Sequence, residues 1–193
     1  MKWSHVMAGL MLASVLSTAG FAANPQAAAP AQTKLTFPSV YDHILSAVEK
    51  EFVDAAEAMP EDKFNFAPTG PGEFKGVRTY SAQIKHVAMV NYVLGAALMQ
   101  EKMPIDAPGE DGPANITSRA DVLKFLKDSF AYAHKSVANL NADSLLEPVK
   151  APWGDHPMSR LALVTTMMSH PFDHYGQMVE YLRMNSIVPP ASR

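Results

Sequence analysis

The sequence predicts an all-α protein, a four-helix bundle with long connections between its helices. Apolar residues recur at helical spacing over four stretches, each of roughly 20 residues. The alternation typical of strands never persists for more than a few residues. Most prolines and glycines lie outside the four stretches, although Pro171 falls inside the last one. Four helices with one apolar face each can bury those faces by packing together as a bundle.

The first two helices are separated by a loop rich in proline and glycine. Helix 1 is expected to begin at Ser39, which with Asp42 resembles a capping box, and to end near Ala58, before Pro60. Its apolar face is read as Val40, Ile44, Val48, Ala55 and Met59. Helix 2 is expected over residues 80–100. Its inward stripe is read as Gln83, His86, Val90, Val93 and Ala97.

The last two helices also have clear boundaries. Helix 3 is expected to start after Ser118, with Asp121 completing a capping box. Its apolar face is read as Leu123, Leu126, Phe130, Ala133, Val137 and Leu140. A connection over 141–154, with room for one short helical turn, leads to helix 4 over 159–185. The inward face of helix 4 is read as Leu163, Met167, His170, His174, Met178 and Tyr181.

The N-terminus is typical of a Sec-type secretory signal. Lys2 precedes an apolar run over 6–16, and small side chains at Gly20 and Ala22 favour cleavage after Ala22. An uncleaved membrane anchor over 6–23 is the alternative, although that run is only marginally long enough to span a bilayer. We expect export to the periplasm or the medium, with no stable membrane insertion after cleavage.

Three segments follow from this reading. Residues 1–22 are the predicted signal peptide, 23–34 a disordered linker rich in alanine and proline, and 35–193 one folded domain. The net charge of −3 argues against nucleic-acid binding, because it is small and of the wrong sign. The chain has no cysteine, so any metal must be held by nitrogen and oxygen.

Three histidines are predicted to share one metal ion. His170 and His174 are four residues apart, which places both imidazoles on one face of helix 4. His86 lies on the inward stripe of helix 2. A buried polar group without a partner costs about 1–3 kcal/mol, and one shared metal would satisfy all three rings. Of the seven histidines, His5 belongs to the predicted signal, and surface or structural roles are expected for His43, His134 and His156.

The spacing of the histidine pair is not that of a common zinc protease. In the H-E-x-x-H motif a glutamate follows the first histidine, and here that position is Pro171. In the inverted motif, H-x-x-E-H, a glutamate precedes the second histidine, and here Asp173 stands there. Aspartate is one methylene shorter, so Asp173 is either a catalytic residue, a partner of a ligand, or a solvated charge.

The segment H-P-F-D-H-Y-G-Q, followed by Y-L-R and V-P-P, resembles the last helix of the DinB/YfiT-like family, and Q-I-K-H-V-A-M-V-N-Y resembles its other ligand-bearing helix. The resemblance implies an up-down-down-up bundle that binds a divalent metal, zinc or nickel, through His86, His170 and His174. It also implies that Gly176 permits close helix packing and that Gln177 lies near the metal. Ser186 replaces the family's usual glycine after the helix.

Three functions remain open at this stage. Three histidine ligands leave a coordination position for water or substrate, which favours a metal-dependent hydrolase with Asp173 and Gln177 as candidate catalytic residues. The alternatives are a non-catalytic metal- or ligand-binding envelope protein, with a homodimer as a candidate assembly, and a bundle that binds no metal. The resemblance also implies a thiol-dependent S-transferase, but the thiols concerned are mainly cytosolic. The sequence does not name the small-molecule substrate.

Overall fold

Four long helices account for most of the folded chain. The computed structural model describes residues 34–69 and 75–193, so the predicted signal peptide and all of the predicted linker except Lys34 lie outside the described residues. The helices are α1 (Phe37–Ala58), α2 (Tyr80–Met99), α3 (Arg119–Ala138) and α4 (Arg160–Met184). Three short 3-10 turns occur at Glu61–Lys63, Ala142–Ser144 and Pro190–Ser192. In this described part, no helix has both the length and the apolar character needed to cross a bilayer.

The helices form an up-down-down-up bundle, as the family resemblance implies. Helices α1 and α2 each pack mainly against α3 and α4, so α1 and α2 lie diagonally across the bundle. Pairs of contacting residues give the directions: α2 runs parallel to α3, whereas α1 is antiparallel to α3 and α2 is antiparallel to α4. The pairs between α2 and α3 are Asn91–Ser129 and Gly95–Ser136. Those between α1 and α3 are Asp42–His134 and Glu57–Arg119. Those between α2 and α4 are His86–His170 and Gln83–Gln177.

Helix α2 is buried on almost every side. Its outer face is covered by the long connection over 100–118, which must run back along the bundle because α2 and α3 are parallel. Met103, Ile105 and Ile116 of this connection pack on the core, and Lys85 Nζ donates a hydrogen bond of 2.9 Å to the Pro113 carbonyl. The connection therefore shields the helix that carries His86.

The start of α1 differs from the prediction. Thr36, not Ser39, caps the helix: its hydroxyl accepts from the Ser39 amide at 3.2 Å, while the Ser39 hydroxyl accepts from the Thr36 amide at 2.9 Å. Ser39 is therefore the third residue of a capping box that begins earlier. The predicted face is partly wrong too, because Val40 and Ile44 are each 39% exposed. The buried face is Leu45, Val48, Phe52, Ala55, Ala56 and Met59.

The other helix boundaries agree closely with the sequence. Ser118 and Ser159 are the residues that cap α3 and α4, and the hydroxyl of each accepts a hydrogen bond of 3.1 Å from the amide three residues later. The 3-10 turn Ala142–Ser144 is the short helical turn expected after α3. The connection also contains strands β1 (Pro148–Val149) and β2 (Met158–Ser159), which pair antiparallel. Their two-residue length explains why no alternation was visible.

Helix α4 ends in a left-handed residue. Ser186 has φ +60°, and its amide bonds to the Arg183 carbonyl while the Ile187 amide bonds to the Leu182 carbonyl. This pair of hydrogen bonds is the Schellman motif, in which glycine is favoured because it has no Cβ. Glycine, which the family resemblance implies at this position, would adopt this conformation without strain.

Candidate metal centre

Three imidazoles from α2 and α4 meet inside the bundle. His170 Nε2 lies 3.2 Å from His86 Nε2 and 3.2 Å from His174 Nε2. His86 and His174 are buried, with 5% and 7% of their surface exposed. The four-residue spacing on α4 stacks His170 and His174, and the antiparallel packing of α2 brings His86 opposite them. We call these three residues the histidine centre. Among the described residues, these three histidines are the one group of potential ligands whose atoms lie close enough together to hold a metal ion.

Two of the three rings are oriented by hydrogen bonds at their other nitrogen. His86 Nδ1 lies 3.0 Å from the Glu110 carbonyl oxygen, which can only accept, so Nδ1 carries the proton. His174 Nδ1 contacts the side chain of Gln83 at Oε1, which assigns a proton to that nitrogen as well. In both neutral rings Nε2 therefore presents a lone pair to the middle of the centre.

His170 has no such support. Its Nδ1 is buried and has no hydrogen-bond partner among the described residues. With the proton on Nδ1, three lone pairs face one another at the centre. With the proton on Nε2, only a hydrogen bond to a neighbouring imidazole is gained. Neither arrangement satisfies all the nitrogen atoms, so the three rings alone leave the centre incomplete.

All three imidazoles are held in the neutral form. Burial is the main cause in each case. Burial lowers the pKa of His170 to about 3, and the neighbouring rings of His174 and His86 and the guanidinium of Arg78 act in the same direction. Burial, with His86 and Arg78, lowers the pKa of His174 to about 4, against the opposing effect of Asp173. The pKa of His86 is lowered in the same way, mainly by burial. Neutral imidazole is the form that binds metals.

The geometry of the centre fits a divalent metal ion. Ligand nitrogens in a tetrahedral zinc site, each about 2.0–2.1 Å from the ion, are separated by about 3.3 Å. The two 3.2 Å distances from His170 Nε2 are close to this value. Histidine nitrogens suit zinc, nickel, copper and iron, whereas calcium and magnesium prefer oxygen. An ion would also accept the three lone pairs that the protein leaves without donors.

A chain of side-chain amides extends from the histidine centre to the surface. Gln83 is only 2% exposed; its Oε1 accepts from His174, and its Nε2 donates to Gln177 Oε1 at 2.8 Å. Gln177 Nε2 in turn donates to Asp173 Oδ2 at 3.2 Å. The two candidate catalytic residues are therefore linked to His174 through Gln83. Asp173 is exposed and does not join the metal-ligand group.

Gln83 is a residue of the candidate site that the sequence analysis left without a role. It lies on the inward stripe three residues before His86. A long polar side chain at a buried helical position needs a partner, and this requirement is the signal that could have identified it. The Glu110 carbonyl had no comparable signal, because backbone atoms of a long connection carry no side-chain signature.

The expected role of Gly176 is wrong. Gly176 is exposed, and a Cβ added there would meet no heavy atom within 4 Å. It therefore does not permit close helix packing. That role belongs to Gly95 on α2, where an added Cβ would lie 2.8 Å from the ring of Tyr132 on α3.

The remaining described histidines lie away from the centre. His156 is exposed, as expected, and His43, for which a structural role was expected, is exposed as well. His134 is not a simple surface residue, since only 25% of its side chain is exposed and its two nitrogens contact Asp42 at 2.6 Å and Glu49 at 3.1 Å. Its position off the apolar stripe of α3 turns it toward α1, where these two carboxylates lie.

Comparison with known proteins agrees with this architecture. A DinB-like protein from Bacillus cereus ATCC 10987 has a similar crystal structure, with a TM-score of 0.63, 13% identity, and coverage of 80% of this chain and 98% of that chain. A conserved protein from Enterococcus faecalis is similar with a TM-score of 0.58, 14% identity, and coverage of 78% and 97%. At these identities the likeness establishes the fold.

A search of curated proteins gave no match. The family model of the DinB superfamily matches residues 44–178, a range that includes all three histidines and most of all four helices. Since that match spans well over half of the sequence, this four-helix chain belongs to the DinB superfamily.

Proposed function

We propose that His86, His170 and His174 bind one divalent metal ion, zinc or nickel, and that the protein is a metal-dependent enzyme of the hydrolase type. The convergence of three Nε2 atoms, two of them with their protons fixed on Nδ1, carries the proposal. A bundle whose histidines satisfy one another would pair every ring nitrogen, and His170 Nδ1 has no partner among the described residues.

The protein residues have separate tasks in this proposal. A divalent ion supplies Lewis-acid polarisation of a substrate oxygen and makes water a stronger nucleophile at neutral pH. The Glu110 carbonyl and Gln83 hold the rings of His86 and His174 in the orientation and tautomer that ligation requires. Burial keeps all three imidazoles neutral. Three protein ligands leave room for a substrate, as in catalytic rather than structural zinc sites.

A non-catalytic metal- or ligand-binding role is the second candidate. One observation favours it: Asp173 is directed to Gln177 Nε2, and in the described part of the chain no carboxylate joins the histidine centre. A hydrolase usually has a general base close to its nucleophile. A thiol-dependent S-transferase, which does not need that base in the same position, is the third candidate.

The test begins with metal analysis of protein purified without an affinity tag. About one equivalent of zinc or nickel per chain is expected. A hydrolase and S-transferase substrate screen then follows, before and after removal of the ion with a chelator. Activity that is lost on chelation and restored by the metal supports the enzyme. Absence of stoichiometric metal overturns the proposal, and activity that survives metal removal overturns metal catalysis.

Export of the protein stays a proposal as well. It is supported by the charged and apolar pattern of residues 1–22 and by the lack of cysteine. Expression of the full chain in a Gram-negative host is expected to yield a periplasmic protein whose intact mass corresponds to a start at Ala23. Retention of the full mass in the membrane fraction would indicate the uncleaved anchor instead.

A further inference from the structure

A cavity of about 480 Å³, with charged and hydroxyl side chains among its lining residues, lies beside the first two turns of α2. Its wall includes Arg78 before the helix, Ser81 and Lys85 on it, Asp111 of the long connection, and Thr117 before α3. A cavity of this size can enclose a small molecule. Among the described residues, none of the three histidines lines it, so it is a separate feature of the molecule.

The cavity wall carries more positive than negative charge. Its charged side chains are Arg78, Lys85 and Asp111. Arg78 Nε lies 3.0 Å from Asp111 Oδ1, but 75% of the Asp111 side chain is exposed, so the pair is well solvated and weak. The terminal guanidinium nitrogens of Arg78 make no hydrogen bond within the described residues. Lys85 Nζ donates one hydrogen bond, to the Pro113 carbonyl, and an ammonium group can donate three.

The same part of the connection touches both the cavity and the histidine centre. The Glu110 carbonyl accepts from His86, while the side chain of the next residue, Asp111, pairs with Arg78. His86 directly follows Lys85 on α2.

We propose that the cavity binds the anionic group, a carboxylate or a phosphate, of a small substrate of the histidine centre, and that Arg78 and Lys85 are its specificity determinants. As a substrate site the cavity rests on the proposed function, whereas its binding of an anion does not. Arg78 would exchange its solvated partner Asp111 for the ligand, because the planar guanidinium binds carboxylate and phosphate through two parallel hydrogen bonds. Two cations in a small concave site are too few for a nucleic-acid backbone.

Calorimetric titration of the full chain, freed of metal, with inorganic phosphate and with succinate tests this inference. Binding is expected for at least one probe, and Arg78→Gln and Lys85→Gln are each expected to weaken it by about tenfold or more, since each removes a charged donor. Arg183→Gln is the matched control. Arg183 also pairs with an exposed carboxylate, that of Glu180 at 2.7 Å, but it lies on α4 outside the cavity. The Arg183→Gln variant is expected to bind the probes with wild-type affinity.

The metal-loaded protein and His170→Ala separate the two proposals. Anion binding that persists without metal and falls in Arg78→Gln supports the cavity, even if no metal is ever found. Binding that needs the metal, disappears in His170→Ala and is unchanged in Arg78→Gln means that the anion binds the ion, and it overturns the inference. No binding of either probe, or equal affinity in the wild type and both cavity variants, overturns it too. If one cavity variant does not fold, the other carries the test.

Discussion

His170→Ala is expected to abolish stoichiometric metal binding while the bundle stays folded. His170 Nε2 is the atom that lies 3.2 Å from both other Nε2 atoms, so its loss leaves one ligand on each of two helices. Changes to residues that merely orient a ligand cost about 10–100-fold in metal affinity, and loss of a ligand should cost more than about 100-fold. Titration of the metal-free protein with zinc, followed by elemental analysis, measures the effect.

Without the metal, the fold should tolerate this change better than most core substitutions. His170 Nδ1 is buried and has no partner in the described ranges 34–69 and 75–193, so alanine removes an unsatisfied polar atom. Circular dichroism should therefore show native helix content. His156→Ala is the control, because His156 is an exposed histidine outside the centre. Wild-type zinc affinity in His170→Ala would exclude the histidine centre as the metal site.

Gln83→Leu is expected to lower metal affinity by about 10–100-fold without removing a ligand. The Gln83 side chain accepts the proton of His174 Nδ1, and leucine cannot, so the ring loses the contact that fixes its orientation and tautomer. In the same variant, Gln177 Oε1 loses the hydrogen bond that Gln83 Nε2 donates to it. Because Gln83 is buried, each group left unpaired also costs about 1–3 kcal/mol of stability.

Gln83→Glu distinguishes orientation of the ligand from general damage to the core. A carboxylate can still accept from His174 Nδ1, and the amide of Gln177 can turn to donate to it. Metal affinity is therefore expected to return to within about tenfold of wild type in this variant. Equal weakening by leucine and glutamate, or no weakening by leucine in a folded protein, would show that Gln83 does not act through His174.

Much of the fold could be predicted because local patterns and tertiary packing agree. Ser118 and Ser159 lie at capping positions that their hydroxyls do occupy, and α4 buries the face that its periodicity indicates. Helix α1 was harder, because its apolar residues form two adjacent lines. Periodicity alone could not decide between the line of Ile44 and the line of Leu45. The choice depends on how α1 packs against α3 and α4.

The candidate centre was predictable in its three histidines but not in their surroundings. Helical phase on two helices selected His86, His170 and His174, and the structure brings them together. The partners of these rings depend on the register between α2 and α4 and on the path of the long connection. These are tertiary features, which explains why the Gln83 contact and the Glu110 carbonyl were not foreseen. Gly176 was misassigned because the resemblance supplied its role without a packing argument.

The separation of the three histidines along the chain has a consequence for a protein without cysteine. His86 and His170 are 84 positions apart, on the second and the last helix. An ion held between them would act as a cross-link, closing a long loop as a disulfide does elsewhere. In the chain-entropy treatment, closure of a loop of this length restricts the unfolded chain by about 4–5 kcal/mol. The metal would then stabilise the packing of α4 against the bundle, in addition to serving the chemistry of the histidine centre.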